Sequence, residues 1–256
     1  MDESGLKQRL ENGECVYGPF VRTTDAVITE IIAYAGFDFM ILDMEHGPMD
    51  VHQAENHVRS AKQAGCSPLV RVHDNDAPLI TRALDTGAAG VQIPQINSVA
   101  AAKSAVESAK FFPLGCRGVC RFTRNAQYSN IPREEYFTKA NENTLTVIQI
   151  EGVEGVQNID SILEIQGYDV LFLGPYDLSQ SLGIPGRVTD KLVLDTMESV
   201  AKKANARGVT VGSFSDDPVT MARHRDMGIQ YLSYGIDTGL VFEHMRDCVQ
   251  QIRRTE

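Results

Sequence analysis

No stretch of this sequence approaches the roughly 18 unbroken apolar residues that a membrane span needs. The opening Met1-Asp2-Glu3-Ser4 has no basic segment leading into an apolar run, so a secretory signal is not expected. Positive charge is scarce: 24 Lys and Arg against 34 Asp and Glu give a net charge of −10, which repels nucleic acid and anionic membranes. A small anionic substrate stays open, because a local group of arginines can outweigh the global field. Cysteine is sparse and odd in number; five without framework spacing point to a reducing compartment and a cytoplasmic protein. The closest pair, Cys116 and Cys120, has no second pair or nearby His, and reads as small buried residues rather than a metal site. Short repeats, low-complexity linkers and a glycine-rich nucleotide turn are all missing.

What is present is an alternation. Short apolar runs at Cys15 to Val21, Phe39 to Leu42, Pro68 to Val72, Gly90 to Ile93, Thr146 to Ile150, Asp169 to Leu173, Val209 to Ser213 and Gln230 to Tyr234 alternate with helical patterns. The helical patterns include Thr24 to Ala35, Val51 to Ala64, Pro78 to Thr86, Val99 to Lys110 and Asp237 to Arg253. About eight strands in 256 residues suit one (β/α)8 barrel forming a single domain over 1–256. A doubly wound open sheet is the alternative, and the missing nucleotide turn counts against it. The run from Phe111 to Asn143 has no clear periodicity, contains Pro113, Gly115, Gly118 and Pro132, and reads as a long excursion or lid loop.

Barrel enzymes carry their chemistry at the C-terminal ends of the strands. There the second strand offers Asp43, Glu45 and His46, the third Arg71, the fifth Gln149 and Glu151, and the sixth Gly174, Pro175, Tyr176 and Asp177. Each has a plain reading: Asp177 as a helix-start charge, Glu151 as a solvated strand end, Arg71 as an ion-pair partner, His46 as a structural imidazole. Together they say more. Two carboxylates on adjacent strand ends repel unless a cation or proton lies between them, and hard divalent cations such as Mg2+ or Mn2+ suit oxygen ligands. Arg71 matches a substrate carboxylate, and His46 can be tuned to act as acid or base near neutrality.

The segments Ile41-Leu42-Asp43-Met44-Glu45-His46-Gly47-Pro48-Met49-Asp50, Leu69-Val70-Arg71, Val91-Gln92-Ile93-Pro94, Gln149-Ile150-Glu151 and Gly174-Pro175-Tyr176-Asp177-Leu178-Ser179 resemble the HpcH/HpaI aldolase family. These are class II pyruvate aldolases, related to citrate lyase beta subunits and macrophomate synthase, and the likeness runs in order from about Gly18 to Asp237. The resemblance implies that Glu151 and Asp177 hold a divalent metal (Mg2+ or Mn2+, or else Co2+), with Gln149 beside it. It implies that Arg71 contacts the keto acid, that His46 shuttles a proton, and that Asp85 pairs with such a His. It further implies a homo-oligomer, commonly a hexamer, whose last helix swaps between partners. Tyr176 replaces a small residue of many members, and Cys120 a glycine; with Arg117, Arg121 and Arg124 these bear on pocket size and on the acceptor.

The implied reaction is reversible cleavage of a 4-hydroxy-2-keto acid to pyruvate and an aldehyde, with the enolate stabilised electrostatically. A Schiff-base aldolase would need a lysine at one of these strand ends, and none carries one. A CoA-ester lyase of the citrate or malyl type shares the metal site but needs a nucleotide surface. Phosphoenolpyruvate-type chemistry on the same enolate, and a non-catalytic barrel that binds 2-keto acids, complete the alternatives.

Overall fold

In the computed structural model, which describes residues 5–254, eight parallel strands close into a barrel in chain order. Helix α1 (Leu6–Glu11) precedes β1 (Val16–Val21), α2 (Val27–Tyr34), β2 (Phe39–Asp43), α3 (Val51–Gln63), β3 (Ser67–Arg71) and α4 (Ala77–Asp85). Then come β4 (Gly90–Ile93), α5 (Val99–Ala109), α6 (Arg133–Asn143), β5 (Leu145–Ile150), α7 (Val153–Gln157), α8 (Ile159–Ile162) and β6 (Val170–Leu173). The chain finishes with α9 (Pro175–Ser181), α10 (Lys191–Asn205), β7 (Thr210–Ser215), α11 (Pro218–Asp226), β8 (Tyr231–Ile236) and α12 (Asp237–Arg253). The predicted (β/α)8 architecture is therefore the observed one. No helix among the described residues is long and apolar enough to cross a membrane.

The strands read as near-continuous apolar runs because parallel strands in a barrel are covered on both faces. Outward residues such as Met40, Leu42, Val70 and Val91 pack under the helices, while Phe20, Phe39, Ile41, Leu69, Val147, Phe172 and Tyr231 fill the interior. Leu6 and Leu10 of α1, an i,i+4 pair, join this inner cluster and cover it from the N-terminal end. The ring closes where Val16 aligns with Tyr231, and the register slips between Gly18 and Phe20. Several helices begin at acidic or hydroxyl caps: Asp50 with Gln53 in a reciprocal box on α3, Asp76 on α4, Ser98 on α5 and Asp217 on α11.

Three expectations need correcting. The stretch 111–143 holds a 3-10 turn at Arg124–Ser129 and the helix α6. That helix escapes a periodicity search because only Tyr136 and Asn141 of its eleven residues are buried, so it has no apolar stripe. The excursion is also no lid over its own barrel mouth. It joins the end of α5 to the start of β5, and such connections lie at the N-terminal face of the strands, away from the mouth. Finally, Cys116 and Cys120 are exposed on this excursion rather than buried, and all five cysteines are free thiols.

Gly18 shows how tightly the ring is closed. A Cβ there would stand 2.1 Å from the Phe39 carbonyl oxygen on the neighbouring strand. Gly18→Ala must therefore push β1 off β2, and a loss of about 3 kcal/mol in urea unfolding is expected. An unchanged midpoint would show that the bulge absorbs the methyl group.

Candidate active site

Strand ends β1, β2, β3, β5, β6, β7 and β8 converge on a cavity of about 690 Å3 at the C-terminal mouth. His46, Arg71, Gln149, Glu151, Gly174, Pro175, Tyr176 and Asp177, predicted from separate segments, all line it. Phe20, Phe172 and Phe214 form an apolar wall, packed edge to face at ring separations of 6.3 and 5.8 Å.

Arg71 is the most constrained of these side chains. Its Nε donates to Asp43 Oδ1 at 3.0 Å, its Nη2 lies 2.8 Å from Asp43 Oδ2, and its Nη1 is 3.0 Å from Glu45 Oε2. Its guanidinium carbon also stands 4.5 Å over the Phe20 ring. Asp43 is fully buried and accepts further bonds from Arg22 Nε at 2.9 Å and from the backbone N–H groups of Glu45 and His46. Burial opposes its charge, yet Arg71 and these other donors prevail and hold its carboxyl below the ordinary range. Glu45 shifts the other way, raised by burial despite Arg71 beside it. His46 is half exposed at the rim, its Nε2 3.9 Å from Glu45 Oε2.

Glu151 sits at the other side of the cavity, buried at 7% exposure. An amide relay orients it: Gln92 Nε2 donates to Gln149 Oε1, and Gln149 Nε2 donates to Glu151 Oε2, both at 2.5 Å. The Gln95 N–H donates to the other oxygen at 2.7 Å. Burial, with the charges of Glu45 and Asp177 adding to it, pushes the Glu151 carboxyl up to about 7 although these donors pull it down. Glycine at 174 is required: a Cβ there would lie 2.9 Å from Glu151 Oε2 and 3.5 Å from Gln149 Nε2. Asp177 stands exposed in the first turn of α9, within the electrostatic reach of Glu151. Among the described residues no three His, Cys, Asp or Glu gather as a ligand cluster, so any cation here would have two carboxylates and open positions.

Tyr176 reaches sideways along the mouth. Its hydroxyl donates to Asp216 Oδ2 at 2.6 Å, and its ring lies 6.0 Å from that of Phe214. Burial and Asp216 together push its hydroxyl up to about 12, so it serves as a neutral wall at working pH.

Asp85 does not join this group. It ends α4, a helix that runs back toward the N-terminal face, and it accepts from Arg117 Nη2 at 2.7 Å. The pairing with His46 is thus not made within this chain. Arg117 is itself buried and stacked 4.6 Å over Phe111, so it is a structural anchor of the excursion, and Arg121 donates to the Ile131 carbonyl. In turn, Arg22 and Asp216 line the cavity although the sequence reading passed over them. Both directly follow strands, β1 and β7, and the strand-end rule extended to every strand would have found them.

The HpcH/HpaI aldolase/citrate lyase family model matches residues 17–243. The chain is 31% identical to a hydroxypyruvate/pyruvate aldolase of Pseudomonas aeruginosa over 94% of this chain and 90% of that one. It is also 31% identical to a 2-keto-3-deoxy-L-rhamnonate aldolase of Salmonella gallinarum, over 93% and 89%. Among solved structures, citrate synthase SbnG superimposes with a TM-score of 0.90 at 30% identity, covering 99% of both chains.

The Glu151 environment gives a prediction with a definite sign. The folded protein keeps a proton on Glu151 up to about pH 7, whereas the ordinary value is 4.5. Cation-free protein therefore loses stability as pH rises through that window, by about 3 kcal/mol in all. Glu151→Gln should remove this slope, raise Tm at pH 8, and abolish any Tm increase on adding Mn2+. An identical pH slope in the variant would place the titration elsewhere.

Proposed function

From the premise that the chain belongs to the HpcH/HpaI aldolase/citrate lyase family, we propose that it is a pyruvate aldolase whose divalent cation, Mg2+ or Mn2+ or else Co2+, is held by Glu151 and Asp177. Its reaction is the reversible cleavage of 4-hydroxy-2-keto acids to pyruvate and an aldehyde. The observation that carries this reading is the buried Glu151, its carboxyl pushed up to about 7 by burial and neighbouring acids, which shares one cavity with Asp177, Arg71 and His46.

The residues fit a hard cation. Both donors are carboxylates, the amide relay fixes one of them, and glycine at 174 leaves the space beside it clear. When bound, the cation supplies Lewis acidity toward the substrate's keto oxygen, which favours the enolate. Arg71, immobilised by Asp43 and Glu45, presents its remaining N–H directions to the substrate carboxylate and orients the acid. His46 takes the proton of the C4 hydroxyl; the C3–C4 bond then breaks, its electron pair passes toward C2, and the C4 carbon leaves as the aldehyde. Protonation at C3 releases pyruvate. The phenylalanine wall keeps water from the reactive carbon. Among the described residues no lysine lines the cavity, which leaves no nucleophile there for a Schiff base.

A homo-oligomer, hexameric in keeping with the family resemblance, and a cytoplasmic location belong to the same proposal. Phe242, Met245 and Val249 are exposed at i, i+3 and i+7 of α12, an apolar stripe suited to packing on another copy. A second reading, citrate formation at the same cavity, is favoured by the likeness to citrate synthase SbnG.

Pyruvate release from a panel of 4-hydroxy-2-keto acids, with Mg2+, Mn2+ or Co2+ and with EDTA, tests the proposal. Release that EDTA stops, and that falls at least 100-fold in Glu151→Ala, is expected. No release from any substrate, with citrate formed in a parallel assay supplied with oxaloacetate and an acetyl thioester, would replace the aldolase reading by the second one.

A further inference from the structure

We propose that the recess between α3, α4 and the 3-10 turn is a binding site for a dianionic phosphate group, held by Lys62 and Arg124. The recess measures about 260 Å3 and is lined by Lys62, Gly87, Arg124, Asn125, Gln127 and Tyr128. Lys62 stands in the last turn of α3, and Gly87 follows the end of α4. Both helices run from the mouth toward the far face, so this site is separate from the catalytic cavity and independent of the aldolase reading.

The recess carries two cations and no acid. Among the described residues neither Lys62 nor Arg124 makes a hydrogen bond or an ion pair. Acids on the same two helices are committed elsewhere: Glu55 accepts from Arg59 Nη2 at 2.6 Å, and Asp85 from Arg117 Nη2 at 2.7 Å. Desolvation lowers the pKa of the Lys62 ammonium and the charge of Arg124 lowers it further, although the residue keeps contact with solvent. Two like charges therefore repel across the hollow without a carboxylate between them.

One wall is built at a conformational cost. Gln127, Tyr128 and Ser129 have φ of 49°, 54° and 78°, three successive left-handed residues and none a glycine. Such strain persists only where the surrounding chain imposes it, and ligand clamps are a common setting. Gln127 accepts from Asn130 Nδ2 at 3.1 Å, which leaves its own amide N–H groups as donors beside the two cations. The Arg124 stem is packed on Gly87, where a Cβ would lie 3.3 Å from Arg124 Cγ.

Charge and size name the ligand class. Two cations match the nearly two charges of a phosphate group at neutral pH, and an ammonium with a guanidinium supplies the donors its oxygens accept. The volume lies below the roughly 300 Å3 at which pockets for larger ligands begin, so a phosphoryl group and few further atoms fit. Bound there, the group would tie the excursion, through Arg124, to the end of α3.

The plainer reading is that Lys62 serves the C-terminal dipole of α3 and Arg124 is merely solvated. Phosphate and glycerol phosphate are titrated by calorimetry into the full chain in EDTA, with ionic strength held by chloride, in wild type, Lys62→Met, Lys62→Arg and Arg124→Met. Tm is recorded with and without phosphate. We expect wild type to bind phosphate with a Kd of about 1 mM. Each Met variant should bind at least tenfold more weakly and lose the rise in Tm that phosphate gives, while Lys62→Arg keeps both. Under the plainer reading Lys62→Met shifts Tm equally with and without phosphate, which overturns the proposal. Undiminished binding in both Met variants overturns it too, by placing the phosphate elsewhere, as does a wild type that responds to phosphate no more than to chloride. Glycerol phosphate binding as tightly as phosphate assigns the site to the phosphoryl end of a metabolite; its exclusion, with phosphate bound, assigns it to the free ion.

Discussion

One side of the barrel mouth leans on a single fully buried carboxylate, that of Asp43. A charge removed from water is unfavourable unless paired and hydrogen-bonded on all sides. Asp43 is: Arg71 grips both of its oxygens, Arg22 shares one, and the backbone N–H groups of Glu45 and His46 fold over it. One side chain thus sets the orientation of Arg71, the arginine proposed to meet the substrate, the turn that carries His46, and the anchoring of the rim arginine. Taking away one partner would leave an uncompensated charge in the interior, so the group is retained or lost as a unit.

The opposite side of the cavity follows a contrary logic. Glu151 is buried without a cationic side chain, and amide donors orient it but do not neutralise it. A buried carboxylate pushed up to about 7 and lacking a cationic partner is the group that the proposed cation would complete. The Asp43 side is electrically complete and the Glu151 side is not. A keto acid placed between them would meet a fixed guanidinium at one end and a Lewis-acid position at the other, the polarity that enolate formation requires.

Much of this was legible in the residues. Parallel strands buried on both faces produce unmistakable apolar runs, and barrel geometry then brings Arg71, Gln149, Glu151 and Asp177 together although they are distant in the chain. Arg22 and Asp216 were legible by the same rule but stand after strands whose motifs draw less notice. Asp85 ends α4 at the face away from the mouth and pairs with Arg117, so a pairing with His46 is not made within this chain. The excursion was misjudged for a related reason: proline and glycine mark it as irregular, but only its place between a helix and the following strand assigns it to the far face. Helix α6, polar on nearly every side, carries no periodic signal at all. The α1 helix is short, and its Leu6 and Leu10 pair gains meaning only once the barrel interior above it is known.

The claim that Asp43 and Arg71 act as one device is tested most directly by a double-mutant cycle on kcat/KM for pyruvate release. The account predicts that Asp43→Asn, Arg71→Lys and the double variant lose activity by similar factors, a strongly non-additive cycle. Losses that multiply would contradict it, showing that Arg71 meets the substrate without needing Asp43 to hold it.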